Sequence, residues 1–342
     1  MYIVVALLIL NLLVIIHEAG HFWAARLCGI EVVEYAIGFG PLLFQHTTKR
    51  NTKISLRLLP VGGFCAFFDE EEGKDPRAFN NQAVWKRFVT TLAGPVMNFV
   101  AAFLAVILYL SAFGLNVSVS RVASTEPNAA SAGLLAGDRI IAVNGIKTET
   151  PVEISTEITN CAGEIVTLTV QRSGDTNDIT ITPFYDEAAE RWRVGFTFAQ
   201  ERQRVSLLQS IPFSFQYNAE SATLIVKTLK GLITKGQGVD EVTGPVGTVY
   251  AISEITRQGG LDIIFELLAI ISVNLGIMNL LPIPGLDGSR LLFLLVEAIR
   301  KKPISPEIEG RIHMAGYALL SGLMLILTYK DIFQIMTGSL FK

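Results

Sequence analysis

The sequence predicts a multi-span α-helical membrane protein with about four transmembrane helices, a membrane-associated β-hairpin region and one inserted α/β domain. Half of its 342 residues are hydrophobic and only 17% are charged, whereas an average soluble domain has roughly 25% charged residues. The mean hydropathy is +0.45. The apolar residues are gathered into long runs, and the stretch between the second and third runs alternates as a soluble domain does. A net charge of −3 excludes a basic nucleic-acid-binding surface.

Each of four apolar runs is long enough to cross a bilayer as one helix. The runs cover residues 2–28, 88–113, 263–281 and 312–328. Lysine and arginine are concentrated in the connections 26–87 and 290–311, and the positive-inside rule therefore places both connections in the cytoplasm. The long connection 114–262 is then extracytoplasmic.

The connections carry structure of their own. Residues 30–68 are short apolar strands separated by glycine and proline, which is typical of a β-hairpin. Two placements stay open: the hairpin dips into the bilayer beside a cavity, or it lies wholly in the cytoplasm. Residues 118–198 alternate with period two between two short helical stretches, which predicts a compact α/β module. Residues 205–236 are mildly amphipathic, and we expect them to lie along the outer membrane face.

These patterns divide the chain into seven segments. The boundaries are predicted from changes in hydropathy and periodicity. They are a first transmembrane helix at 1–29, the hairpin region at 30–84, a second helix at 85–115, the α/β domain at 116–200, an extracytoplasmic amphipathic helical segment at 201–260, a third helix at 261–289, and a cytoplasmic loop with the fourth helix at 290–342.

The chemistry indicated by the sequence lies inside the first span, in the HExxH pattern that begins at His17 and ends at His21. Residues four apart share one face of an α-helix, so both imidazoles can reach one cation. Glu18 projects in a neighbouring direction, where it can act on a water molecule rather than bind the metal. Ionisable groups inside a membrane are costly and usually functional, so packing alone explains them poorly.

A catalytic zinc site needs three protein ligands, and Asp287 is the best third candidate. The first and third spans run in the same direction, so a residue past the end of the third span approaches the side that the HExxH histidines approach. Pro282 and Pro284 end the third helix and let the chain turn back. His46 and His313 lie in or near loops and are poorer ligand candidates. The alternative role for Asp287 is to cap a loop.

Six motifs together resemble those of the site-2 protease family of intramembrane zinc metalloproteases. They are HEAGH at 17–21, GFGP at 38–41, LPVGGF at 59–64, AGPVMNF at 93–99, GPVG at 244–247 and NLLPIPGLDG at 279–288. HExxH alone is a weak signal, but HExxH in the first span combined with NxxPxPxLDG near a late span is highly specific. The resemblance covers nearly the whole chain. Residues 129–145 resemble a PDZ pattern, which indicates the bacterial regulator-of-sigma-E protease type with one PDZ domain between spans two and three.

The resemblance implies that His17, His21 and Asp287 bind one Zn²⁺ and that Glu18 is the general base. It implies cleavage within single-span transmembrane proteins, such as an anti-sigma factor or a signal-peptide remnant. The expected location is the inner (cytoplasmic) membrane of a bacterium, with the lipid bilayer around the spans, the active site toward the cytoplasm and the PDZ domain extracytoplasmic. The PDZ domain is expected either to bind a C-terminal peptide or to act as a size filter.

Asn279 and Asn98 are candidates for binding the substrate backbone or the oxyanion. Their alternative role is to bind neighbouring helices together. Two other functions stay open: a catalytically silent PDZ membrane adaptor and a membrane zinc transporter. An adaptor is expected to have lost Glu18 or a ligand, and none is lost here. A transit site fits less well, because three ligands and an adjacent glutamate suit hydrolysis better than release. No nucleic-acid partner is expected.

Overall fold

The structure is a computed structural model that describes residues 1–68, 75–187, 190–236, 238 and 242–339. The chain divides into two compact units: the first joins Met1–Ser111 to Ser206–Lys342, and the second is Ala112–Val205. The helices and strands, in chain order, are α1 (Tyr2–Cys28), β1 (Val32–Thr47), β2 (Lys53–Phe67), α2 (Val84–Phe113), β3 (Leu115–Thr125), α3 (Pro127–Ser131), β4 (Arg139–Val143), β5 (Ile146–Lys147), α4 (Pro151–Asn160), β6 (Val166–Arg172), β7 (Asp175–Ile181), β8 (Phe184–Asp186), β9 (Arg191–Arg193), β10 (Phe196–Gln203), α5 (Leu207–Lys235), α6 (Pro245–Gln258), α7 (Leu261–Leu280), α8 (Asp287–Arg300) and α9 (Pro306–Thr337).

Within the described residues, four helices are long and apolar enough to span a membrane, and the predicted number of spans is therefore confirmed. They are α1, α2, α7 and the part Glu307–Thr337 of α9. α9 begins before the predicted run 312–328, because Ser305 caps its first turn: the Ser305 hydroxyl accepts a hydrogen bond from the backbone N–H of Ile308.

The core of the first unit lies between α1, α6 and α7, where Ala6, Ile9 and Leu13 pack with Ile252 and Leu267. A second cluster lies where α5 meets α2 and α7. It consists of Ala102, Val273 and Ile277, with Phe99, Ala222, Ile225 and Leu229 packed against them. The sequence predicts that residues 205–236 lie along the outer membrane face. In the structure, Ala222, Ile225 and Leu229 of α5 pack on the middle of α2 and on the second half of α7.

The residues after the third span are also more helical than the sequence predicts. α7 ends at Leu280, just before the two prolines, so Asp287 belongs to a separate helix rather than to the third span. The predicted cytoplasmic loop is largely α8, which buries Leu291 and Leu294 on one face. An ion pair between Arg87 of α2 and Glu297, nearly buried on both sides, fixes α8 against α2.

β1 and β2 pair with each other, and their register splits each strand into two arms. Residues 32–37 pair antiparallel with 63–67, and residues 42–47 pair antiparallel with 53–57. Residues 34–37 are also in register with 53–56, with both numbers rising together, so these two inner arms are neighbours. The arms therefore lie in the order 63–67, 32–37, 53–57, 42–47. The bends between arms contain Gly38, Gly40 and Gly62, all at positive φ.

This four-armed sheet folds back along α1. Its 48–52 turn lies near the end of α1, because the Thr52 hydroxyl accepts a hydrogen bond from Arg26 and donates one to the Val32 carbonyl. Three residues beyond Val32 on the same arm, the Tyr35 hydroxyl donates to the carbonyl of Ile15, well inside α1. The side chains around the inner bends are apolar and exposed: Phe39, Leu42, Leu43, Leu58 and Leu59.

The second unit is a sheet with the strand order β10-β3-β4-β6-β7 and with β5 paired to β4. Ile154 and Ile158 of α4 pack into its core beside Val122 and Leu168. At one edge of that core, the buried carboxylate of Asp138 accepts hydrogen bonds from the Arg172 guanidinium and from the backbone N–H of Leu135. The hydrogen bonds from Arg172 hold the pKa of the Asp138 carboxyl below its ordinary value.

Candidate metal centre

The three predicted ligands meet at one point of the first unit. His17 and His21, one turn apart on α1, bring their Nε2 atoms to 3.2 Å from each other. Asp287, the first residue of α8, places Oδ2 3.1 Å from His17 Nε2 and 3.3 Å from His21 Nε2. Among the described residues, these are the only three His, Cys, Asp or Glu side chains that cluster as metal ligands do.

The loop between α7 and α8 brings Asp287 to the histidines. Gly285 has φ +99°, which an L-residue with a side chain rarely adopts. Its N–H donates to Nδ1 of His313 on α9, at 3.2 Å. A Cβ atom on Gly288 would overlap the carbonyl oxygens of Leu280 and Leu281, so the start of α8 sits directly on the end of α7. His313 is therefore no ligand in this structure, but it holds the loop that carries one.

α2 supplies the wall behind the imidazoles. A Cβ atom on Gly94 would overlap His21 Nε2 and lie 2.9 Å from His17 Cε1, so only glycine leaves room for both rings. On the facing helix, a Cβ atom on Gly20 would overlap the carbonyl of Ala93. The two helices therefore cross in close contact at these glycines. His21 Nδ1 lies 2.9 Å from the carbonyl oxygen of Thr90, to which it donates a hydrogen bond.

Glu18 stands beside the ligands and faces the β2 arm 63–67. The backbone N–H of Cys65 lies next to the Glu18 carboxylate, and both residues line the same cavity. A Cβ atom on Gly63 would lie 3.8 Å from Glu18 Cγ. A cavity of about 270 Å³ opens at this point, and it is lined by the four HExxH and LDG residues His17, Glu18, His21 and Asp287, and also by Phe64, Cys65, Phe67, Thr91, Asn279, Gly285, Leu286 and Arg290.

The donor atoms fit zinc. In a tetrahedral site with bonds of about 2.0–2.1 Å, neighbouring ligand atoms stand about 3.3–3.4 Å apart, close to the separations of 3.1 to 3.3 Å found here. Asp287 Oδ2 is buried and has no hydrogen-bond donor of its own. When both Nδ1 atoms carry the ring proton, three lone pairs point at one another, and only a cation makes that arrangement favourable.

The two candidate asparagines lie at different distances from the cavity. Asn279, at the end of α7, lines the cavity and is partly exposed, as a substrate-binding residue must be. Asn98 is completely buried, and its side chain meets His17 instead. Two features of the site were not found by sequence reasoning: the space that Gly94 leaves and the position of the Cys65 backbone beside Glu18. Both depend on which helix face or strand edge meets α1, although the AGPVMNF and LPVGGF motifs contained a signal.

The site has two imidazoles and a carboxylate around one point. A glutamate that is not part of this ligand cluster lies beside them in a cavity. This arrangement defines a zinc hydrolase of the HExxH class. Residues 5–323 match the family model of peptidase family M50. Zinc metalloprotease RasP of Shouchella clausii is 32% identical over 408 aligned residues, which cover 95% of this chain and 97% of the relative. A Clostridium perfringens protein named "putative zinc metalloprotease" is 34% identical over 337 residues, covering 97% of this chain and 98% of the relative. The chain belongs to peptidase family M50. It is a multi-pass membrane zinc metalloprotease.

Proposed function

We propose that the protein is an intramembrane endopeptidase that cuts single-span membrane proteins within their transmembrane segments. The observation that carries the proposal is the position of the three ligand atoms and Glu18. They meet at His17, eleven residues before the end of the apolar helix α1, which corresponds to about 16 Å along the helix axis. Peptide bonds at that depth belong to the transmembrane part of a substrate.

The proposed roles follow from the geometry of the donors. His17, His21 and Asp287 hold Zn²⁺, which supplies Lewis acidity toward water and toward the scissile carbonyl. Glu18 accepts the proton of the attacking water and returns it to the leaving amine. The backbone of Cys65 lies beside the Glu18 carboxylate in the same cavity. Asn279 lines the same cavity, where its side chain can bind the substrate backbone or the developing oxyanion.

We propose that the substrate is unwound and added as a strand to the arm 63–67. This arm is an outer one in the four-armed sheet, so one of its backbone edges has no strand partner among the described residues. Phe64 and Phe67 of the same arm line the cavity beside Glu18. Strand addition supplies main-chain hydrogen bonds to a substrate whose own helical bonds are broken, and it does so independently of sequence.

The same sheet supports the membrane-inserted placement over the cytoplasmic one. Its 48–52 turn lies near the end of α1; the turn contains the exposed Lys49 and Arg50 and is followed by the exposed Lys53. Its opposite end is apolar and exposed and reaches the level of Glu18. An apolar end at membrane depth and a basic end at the headgroup level fit the cytoplasmic leaflet of a bacterial inner membrane.

We further propose that the second unit is a PDZ domain that binds the C-terminus of a peptide. β10 pairs only with β3, so its other edge is open among the described residues. Between β10 and α4 lies a cleft of about 770 Å³, lined by Val152, Ile158 and Phe198 and by the exposed Arg191. An extended peptide can pair with β10 there, with an apolar last residue in the cleft and its carboxylate near the arginine. Titration with a carboxylate-ended peptide and its amidated form tests this, and equal binding of the two would contradict it.

The proteolytic proposal is tested with Glu18→Gln in proteoliposomes that contain a single-span helical substrate. We expect zinc to remain bound while cleavage falls by about 10²–10⁴-fold, as for loss of a general base. Glu164→Gln, an exposed residue of the second unit, is the matched control and should cleave as wild type does. Zinc flux through wild-type protein without any cleavage would favour the transporter, and zinc binding with neither flux nor cleavage would favour the adaptor.

A further inference from the structure

The side chain of Asn98 contacts the ring nitrogen of His17 that faces away from the other two ligands. It lies on α2, is 0% exposed, and places its Nδ2 3.2 Å from His17 Nδ1. Its Oδ1 is buried and has no hydrogen-bond partner. The backbone carbonyl of the same residue accepts a hydrogen bond from the buried Ser272 hydroxyl of α7, at 2.8 Å, so the position of Asn98 is fixed between two helices.

The contact determines which nitrogen of His17 carries the proton. A neutral imidazole that offers Nε2 to a metal carries its hydrogen on Nδ1, so Nδ1 must donate. An amide nitrogen facing Nδ1 would require the opposite tautomer, in which Nε2 is blocked by its own hydrogen. The oxygen and nitrogen of an asparagine amide exchange places by a half-turn of the side chain. After that turn, Oδ1 gains the Nδ1–H donor that it otherwise lacks.

We propose that Asn98 is a positioning residue that accepts the Nδ1–H of His17 and so holds its Nε2 free for the metal. The Thr90 carbonyl does the same for His21, so each imidazole is oriented by one oxygen of α2. The inference rests on the proposed metal site. The positioning role replaces the substrate-binding role predicted for Asn98, because a side chain without exposed surface cannot reach a substrate.

The test measures metal affinity in the detergent-solubilised full chain, by competition with a chromophoric chelator. Asn98→Leu is expected to weaken Zn²⁺ binding by about 10–100-fold, the usual cost of removing a ligand's outer partner. Asn98→Asp restores an acceptor and should bind Zn²⁺ as tightly as wild type or more tightly. The Co²⁺ spectrum should change in Asn98→Leu and not in Asn98→Asp. Asn11→Leu is the matched control: Asn11 is also buried with an unpartnered Oδ1, but among the described residues no hydrogen bond joins it to a histidine.

A second measurement needs no variant. The chain has four histidines, so ¹⁵N-histidine NMR of the metal-free protein can resolve each ring, and we expect the Nδ1–H tautomer for His17. An Nε2–H tautomer at His17, or wild-type Zn²⁺ affinity in Asn98→Leu, would overturn the positioning role while leaving the metal site intact. Failure of wild-type protein to bind Zn²⁺ would instead overturn the site on which the inference rests.

Discussion

Two aspartates, one in each unit of this chain, show opposite electrostatic arrangements. Asp138 in the second unit is surrounded by donors, from Arg172 and from the backbone of Leu135. Asp287 at the metal centre has an Oδ2 atom without any donor, and it faces the nitrogen atoms of two imidazoles. A folded protein normally pairs its buried polar atoms. The first arrangement therefore stabilises a fold, and the second reserves an atom for a cation.

The largest effect on zinc content and proteolysis is expected at Asp287. Asp287→Ala should lose zinc and proteolysis together, by more than the roughly 10–100-fold that loss of an outer partner costs. The unfolding midpoint of the metal-free protein should not fall, because the variant removes an atom that has no partner. Metal analysis and thermal unfolding of the same preparation measure both quantities. Retained zinc stoichiometry would remove Asp287 from the ligand set.

The next largest effect, a loss of cleavage rate, is expected where α2 leaves space for the imidazoles. Gly94→Ala places a methyl group where His21 Nε2 lies, so at least one ring must move. A displacement of about 1 Å can cost on the order of 10²-fold in rate, and we expect a loss of that size. Gly322→Ala on α9 is the control, since a Cβ there meets nothing within 4 Å. Equal cleavage by the two variants would show that the helix crossing relaxes without cost.

The sequence predicted the parts of this molecule that depend on local pattern. The four spans, the HExxH face and the helix end at the prolines follow from hydropathy, helical periodicity and proline geometry. The convergence of His17, His21 and Asp287 could be expected from the parity of the spans. The crossing of α1 and α2 at Gly20 and Gly94 could not be expected, because the sequence around a glycine in an apolar helix does not show whether the glycine faces lipid or an imidazole.

The same limit applied to the connections. The sequence predicts a plain hairpin where the structure has four arms, because the pairing of 34–37 with 53–56 joins segments that no turn connects directly. The sequence predicts a loop where the structure has α8, because basic residues surround the short apolar face of this helix. No sequence pattern identifies Asp331, which is completely buried and accepts hydrogen bonds from the N–H groups of Gly244 and Gly247.

Asp331 extends the comparison to a third carboxylate, which is paired as Asp138 is. It lies on α9 and binds the first turn of α6, where the positive end of the helix dipole favours an anion. Asp331→Ala leaves two buried N–H groups without an acceptor and should cost about 1–3 kcal/mol of unfolding free energy. Denaturant unfolding in detergent measures it, with Tyr329→Phe at an exposed neighbouring position as the control. Zinc content should stay at the wild-type value.

The smallest effect is expected at Asp138, and its pH dependence sharpens the contrast with the metal centre. The pKa of the folded-state carboxyl is lowered by Arg172, so its contribution to stability is present above the ordinary value of 3.8 and is lost as the pH falls through the folded-state pKa. Asp138→Asn should therefore destabilise the second unit at pH 7, by about 1–2 kcal/mol, and the difference from wild type should shrink below about pH 4. Hydrogen exchange of peptides from 112–205, in the full chain, measures the unit by itself. The exposed Asp175→Asn is the control and should show little change at either pH. If the difference in stability between wild type and Asp138→Asn stays constant down to acid pH, the shape of the side chain, and not its charge paired with Arg172, stabilises the unit.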